Sequence, residues 1–398
     1  MRPGRGSADG DRLRRRPTVA GMELRHHGDV DAEPGLLDFA VNVRAERPPE
    51  WLRARLVASL DRLGRYPSAA DDLAARRAAA ARHGRRPDEV LVLAGAAEGF
   101  ALLPALRPRS AAVLHPGFTE PEVALRAAGV PVHRVLTDAA DGHRLDPAAV
   151  PEHADLVVLG NPTNPTSALH PAAAVRALGR PGRVLVVDEA FADAVPGEPE
   201  SLAAAADVPG LLVLRSLTKT WALAGLRAGY ALAEPALLAR LAAHRPPWPV
   251  GTPSLEAVRA CCEPAAVAEA GAAAAELVAH REWLVEALAP VPGVQVAGPA
   301  AAPFLLLRVP DGPAVRARLR AAGIAVRRAD TFPGLTRDHL RVAVRPPEQA
   351  RLLVAALAAA LTAPPAGPPA APPAAGRTVR ATATAAHYGS GMPRGERQ

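Results

Sequence analysis

Six polar residues between positions 164 and 227 have the types and spacing to build a reactive centre: Asn164, Asp188, Ser216, Thr218, Lys219 and Arg227. Lys219, in "SLTKTWALAGLR", is the only lysine in a chain that carries 47 lysines and arginines together. A composition dominated by Ala, Arg, Pro and Gly replaces lysine by arginine wherever positive charge is all that matters. Arginine cannot shed its proton and attack a carbonyl as an amine. The solitary lysine therefore points to amine chemistry. Asp188 offers a carboxylate partner, and Ser216, Thr218 and Arg227 offer hydroxyls and a cation suited to an anionic group.

Such groups need a scaffold, and the intervening chain supplies one. Short apolar runs at 89–95, 110–116, 130–136, 154–160, 183–190, 210–217 and 226–233 alternate with alanine-rich helical stretches. Strands this continuously apolar are expected to be buried on both faces, as in a mostly parallel sheet with helices on each side. The candidate residues fall just past the strand ends, where α/β sheets place their ligands. A long helical region from 253 to about 290 follows. Three further strand-like runs, at 303–309, 323–329 and 339–346, alternate with helices as in a smaller α+β domain.

Two cofactors compete for these residues. "RVLVVDEA" looks like a Walker B strand and "TKT" like the end of a P-loop, which would imply a nucleotide triphosphate. A P-loop needs glycine amides to cradle phosphates. The six residues before Lys219, Val213 to Thr218, contain no glycine. Pyridoxal phosphate (PLP) fits better, being an aldehyde that a lysine amine holds as a Schiff base. Asp188 would face the pyridine nitrogen, Asn164 the ring O3′, and Ser216, Thr218 and Arg227 the phosphate. Backbone amides of "AGAAEGF" (94–100), including those of Ala97 and Glu98, would join them where a strand turns into a helix.

The ordered set "NPTNPT…VVDEAF…LRSLTKTWALAGLRAGY" resembles the fold-type I, class I/II aminotransferase family of PLP enzymes, over roughly residues 22–363. The resemblance implies an α/β fold: a large PLP-binding domain with a mostly parallel seven-stranded sheet sandwiched by helices, plus a smaller α+β domain. It divides the chain into an N-terminal arm at 21–60, a large domain at 61–255 and a small domain at 256–363. Arg65-Tyr66-Pro67 matches a family "RYP", whose tyrosine reaches the PLP phosphate of the other subunit, so a homodimer is implied. Leu340-Arg341 is similar to the strand whose arginine grips the substrate α-carboxylate.

Within the family the histidinol-phosphate aminotransferase and threonine-phosphate decarboxylase branches are the most similar. "HHGD" (26–29), "LLDFAVNV" (36–43), "HPGFTEPE" (115–122), "PPWPV" (246–250) and "TFPGL" (331–335) resemble the decarboxylase of the cobalamin pathway. That resemblance implies Phe118 stacked on the cofactor ring, Ala190 beside it, and His26, Asn42, Arg327 and Arg341 around a small phosphorylated amino acid. In "DEAF", Phe191 replaces the tyrosine usual in the aminotransferases, and Ser167 stands where glycine is usual. The first expectation is thus decarboxylation of L-threonine O-3-phosphate. The alternative is an aminotransferase for histidinol phosphate or another amino acid. A PLP-binding regulator is a remote third, since it would need a winged-helix segment ahead of the body.

Charge and composition exclude other classes. The formal charge is +7, and residues 1–16 and 364–398 account for all of it. The body is neutral in sum, so no basic face for nucleic acid is expected. Both termini, 1–20 and the Pro/Ala-rich 364–398, are expected to be disordered. The first residues lack the apolar stretch of a signal peptide, and no apolar run is long enough to span a membrane. Adjacent Cys261 and Cys262 suit a reducing cytoplasm and offer no metal site.

Overall fold

The computed structural model describes residues 24–362. The tails expected at 1–20 and 364–398, and the first residues of the 21–60 arm, lie outside the described residues. Thirteen strands are present among them: β1 (Leu37–Asp38), β2 (Val90–Leu93), β3 (Ala111–His115), β4 (Val132–Leu136), β5 (Leu156–Gly160), β6 (Val184–Asp188), β7 (Leu211–Ser216), β8 (Gly229–Ala233), β9 (Gln295–Val296), β10 (Phe304–Arg308), β11 (Ile324–Ala325), β12 (Arg327–Arg328) and β13 (His339–Ala343). Ten α-helices accompany them: α1 (Glu50–Leu60), α2 (Ala69–Arg82), α3 (Ala96–Leu102), α4 (Glu120–Ala127), α5 (Ala172–Arg176), α6 (Pro235–Ala242), α7 (Thr252–Cys261), α8 (Pro264–Leu288), α9 (Gly312–Ala321) and α10 (Pro347–Thr362).

The seven strands expected in the large domain form one sheet, in the order β2-β8-β7-β6-β5-β3-β4. Only β8 runs against its neighbours. Its two faces feed separate cores, as strand alternation requires. Val157, Leu159, Leu185, Val187 and Val213 pack on one side with α2, α7 and Trp221. Leu156, Val158, Val186, Leu212 and Leu214 pack on the other with Phe100, Leu103 and the leucines of α6. Both faces are covered, which explains why these strands read as unbroken apolar runs.

The long helical region splits into α7 and α8 because Pro264, which has no N–H to continue a helix, starts the second. The 255/256 division implied by resemblance falls inside α7, which shares its core with the large sheet. The changeover runs instead along α8. Ala266 and Ala270 pack with that core, whereas Leu284 and Leu288 pack with the small sheet.

That small sheet has the order β12-β13-β10-β9 and is antiparallel. The single strand expected at 323–329 divides in two. β11 pairs in parallel with β1 of the N-terminal arm, and β12 pairs with β13. The break lets one segment tie the arm down and also deliver Arg327 beside Arg341, its register partner. No helix among the described residues is long and apolar enough to cross a membrane.

Candidate active site

A cavity of about 610 Å³ opens at the C-terminal ends of β5, β6 and β7, closed by the arm and by the β12–β13 edge. Asp188 is the last residue of β6, Ser216 the last of β7, and Asn164 follows β5 by four positions. β8 runs backwards, so Arg227, just before its start, comes to the same end of the sheet. Topology thus gathers at one rim residues that lie up to 63 positions apart in the sequence.

Lys219 is buried, and burial pushes its ammonium down to about 8, with the Arg341 and Arg227 charges adding to the effect. A sizeable neutral fraction near physiological pH is what a nucleophilic amine needs. Asp188 is fully buried, and burial raises its carboxyl to about 7. Among the described residues its one side-chain hydrogen bond comes from the Ala190 amide, at 3.1 Å. A buried carboxylate this poorly supplied with donors suits a protonated ring nitrogen.

Ser216, Thr218 and Arg227 line the cavity with Ala96 and Ala97 of α3. The Ser216 hydroxyl accepts the Thr218 amide at 3.3 Å. Gly95, at φ +81°, precedes α3, and a Cβ there would come within 2.9 Å of Arg227 Nη2. The positive φ favours glycine at position 95, and a Cβ there would also displace the tip of Arg227. Glu98 does not join this cluster. The helical turn carries its carboxylate away, to accept the Ala94 amide at 2.6 Å and to pair with Arg245. The Glu98 amide, the group expected at the phosphate, donates instead to the Gly95 carbonyl at 3.1 Å, and among these residues Ala96 and Ala97 line the cavity.

At the other wall Arg341 is buried with Nη1 on Asn164 Oδ1 at 2.7 Å, Nη2 on the Ala40 carbonyl at 2.5 Å, and Nε without a partner. Arg327 donates to the His26 carbonyl and to Thr331. Burial pushes Arg341 down to about 9 and Arg327 to about 10. Both remain cationic at neutral pH, and Asp31, 3.6 Å from Arg327, is the nearest acid paired with either. Two buried guanidinium groups so lightly compensated call for an incoming anion.

His26, Asn42, Phe118 and Ala190 also line the cavity. His26 Nε2 bonds Asp31, and Asn42 Oδ1 is buried without a partner among the described residues. Tyr66 lies outside the cavity, 74% exposed, stacked on Trp248 at 4.2 Å. Other lining residues went unremarked in the sequence: His27 bonds Glu120 at 2.7 Å, and Phe332 lies under Arg327. Their signals were the motifs that contain them, "HHGD" for His27 and "TFPGL" for Phe332. Ser167, at φ +63°, occupies a left-handed position, which accounts for the glycine usual there. Its hydroxyl accepts the Ala302 amide at 2.8 Å and ties the site loop to the chain entering β10.

A buried amine of depressed basicity, a carboxylate at its back and anion seats on both sides define a PLP-dependent enzyme of the fold-type I class. The chain belongs to the aminotransferase class I and II family, whose model matches residues 34–357. It is 57% identical to a histidinol-phosphate aminotransferase of Mycobacterium tuberculosis over 334 residues, 84% of this chain and 90% of the relative. It is 33% identical to the threonine-phosphate decarboxylase of Salmonella typhimurium over 370 residues, 88% of this chain and 96% of the relative. The crystal structure of the histidinol-phosphate aminotransferase from Clostridium acetobutylicum superimposes with a TM-score of 0.75 at 21% identity, covering 81% of this chain and 98% of that one.

Proposed function

We propose that the protein is an aminotransferase for histidinol phosphate or a closely similar phosphorylated amine. The 57% identity to a histidinol-phosphate aminotransferase over most of both chains carries this reading. Decarboxylation of threonine phosphate, the first expectation from the sequence, has the more distant relative at 33% and becomes the second reading. One observation keeps it: Phe191, packed against Phe304, brings no hydroxyl to the cavity where the aminotransferases usually have tyrosine.

PLP, when bound, supplies an electron sink for the bond that breaks at the substrate Cα. The chain's own residues do the rest. Lys219 would hold the cofactor and then carry the proton at Cα. Asp188 would keep the ring nitrogen protonated, and Asn164 would serve the ring O3′. Phe118 and Ala190 would flank the ring. Ser216, Thr218, Arg227 and the backbone at Ala97 would hold the cofactor phosphate. Arg341, Arg327, Asn42 and His26 hold the anionic group of the substrate and set which bond stands perpendicular to the ring.

The active form is a homodimer in this reading. Val57, Leu60, Leu63, Tyr66 and Trp248 are each at least half exposed. A second copy would cover this apolar face, and Tyr66 would then reach the partner's cofactor phosphate. The free thiols of Cys261 and Cys262 fit a cytoplasmic location.

The test gives purified, PLP-loaded protein histidinol phosphate and, separately, L-threonine phosphate, with Lys219→Ala as control. Conversion of the cofactor to its amine form by histidinol phosphate, with no carbon dioxide from either compound, supports the proposal. Carbon dioxide from threonine phosphate with the cofactor unchanged would overturn it.

A further inference from the structure

We propose that Arg345 is a positioning residue for the substrate's anionic group, acting through the loop that carries Ala40 and Asn42. The inference rests on the cavity being an amine-substrate site, as argued above.

Arg345 lies two residues past β13, on the same chain segment as Arg341. Its guanidinium gathers three backbone carbonyls of the arm: Asp38 at 3.0 Å from Nε, Val43 at 2.6 Å from Nη1 and Val41 at 2.8 Å from Nη2. The other polar groups of this loop are also assigned. The Asp38 carboxylate accepts the Ala40 and Val41 amides at 2.7 and 2.9 Å. Phe39 bonds Ala325 and Ala343 through its N–H and C=O, and the Arg44 amide donates to the Lys219 carbonyl at 3.0 Å.

One carbonyl meets a cavity-lining side chain instead. Ala40 O accepts Arg341 Nη2 and so orients the guanidinium that awaits an anion. Asn42, between the clamped Val41 and Val43, presents a buried, unpartnered Oδ1 at the same cavity. Two arginines four positions apart therefore hold opposite sides of one loop. Arg345 does not line the main cavity; it fixes the loop whose Ala40 carbonyl holds the cavity-lining Arg341 and whose Asn42 lines the cavity itself.

A planar fork with five donors can serve three carbonyls at once, which an ammonium on a flexible stem cannot. Without that fork the loop loses its fixed path. Ala40 O and Asn42 then drift, while Asp188 at the end of β6 and Lys219, three residues past β7, stay in place.

The experiment compares Arg345→Met and Arg345→Lys with wild type, all PLP-loaded. Histidinol phosphate, and histidinol as the amine lacking the anion, are titrated while the cofactor absorbance is followed. In Arg345→Met the Kd for histidinol phosphate should rise about 10- to 100-fold, the loss of a well-aligned charged hydrogen-bonded contact. The response to histidinol and the absorbance of the lysine-bound cofactor should stay unchanged. Arg345→Lys should recover less than half of the loss on a logarithmic scale. Arg281→Met, which removes another half-buried arginine that serves a backbone carbonyl away from the cavity, should lower the melting temperature without changing the ratio of the two Kd values.

Equal weakening for both amines, or none for either, overturns the inference, as does loss of the lysine-bound absorbance in both Arg345 variants. If wild type itself ignores histidinol phosphate, the substrate proposal fails by itself. The same comparison is then made with L-threonine phosphate against L-threonine, which lacks only the phosphate.

Discussion

Asp188→Asn in cofactor-free protein tests whether burial governs this carboxyl. Its ordinary value of 3.8 is raised to about 7, with desolvation the largest cause. Between those values the folded chain holds a proton that the unfolded chain has released, so stability falls as pH rises. Below 3.8 there is no cost, and above 7 the loss is complete. From pH 5 to pH 7 the change spans two decades of proton affinity, about 2.7 kcal/mol at ~1.36 kcal/mol per decade. A chain of this size shifts its melting midpoint by roughly 1–2 °C per kcal/mol. Melting curves at pH 5 and pH 7.5 should therefore show Asp188→Asn gaining ~3–5 °C on wild type between the two. Lys219 does not imitate this effect. Its value is lowered to about 8, so its cost is lifted only above pH 8. Saturation with PLP should abolish the difference, because the ring nitrogen then gives the carboxylate a partner. A wild-type-to-variant gap that does not change with pH would refute the argument.

Other expectations follow from the same geometry. The rate at which cofactor-free protein captures PLP should rise with pH and level off just above 8, not near the ordinary lysine value of 10.5, when followed by absorbance. Arg341→Lys should raise KM for the phosphorylated substrate by about 10- to 100-fold, since an ammonium cannot keep both the Asn164 and Ala40 contacts while meeting an anion. Ser167→Ala should cost about 1 kcal/mol in denaturant melts, losing the bond to Ala302 while keeping the left-handed backbone. Ser167→Gly relieves that backbone and should stay within about 1 kcal/mol of wild type. Tyr66→Ala should weaken PLP retention in the dimer and leave the fold intact, because its ring is mostly exposed in one chain.

Chemistry and layer order were legible in the chain because both are written locally. A lone lysine in an arginine-rich composition, an acid ending an apolar strand, and apolar runs of strand length report residue by residue. All seven strands of the large sheet sit where those runs predicted them. Longer-range outcomes were not local. The run 323–329 reads as one strand, yet competition between β1 and β13 for its edges breaks it after Ala325. Glu98 sits in the right turn, but its amide, the group expected at the phosphate, bonds the Gly95 carbonyl at the start of the helix. The 57% relative, and with it the preference for transamination, was not visible in motifs that both branches share.

The sequence by itself determined that this chain has one amine able to hold an aldehyde cofactor, and the strand ends that present its partners. Only the tertiary structure decided how acidic those partners are and what each arginine serves. Depressed basicity at Lys219 and weakened acidity at Asp188 come from burial that no residue carries alone. Arg341 and Arg345 are four letters apart and chemically identical. One faces an anion seat and the other clasps backbone carbonyls, because the arm's loop passes between them.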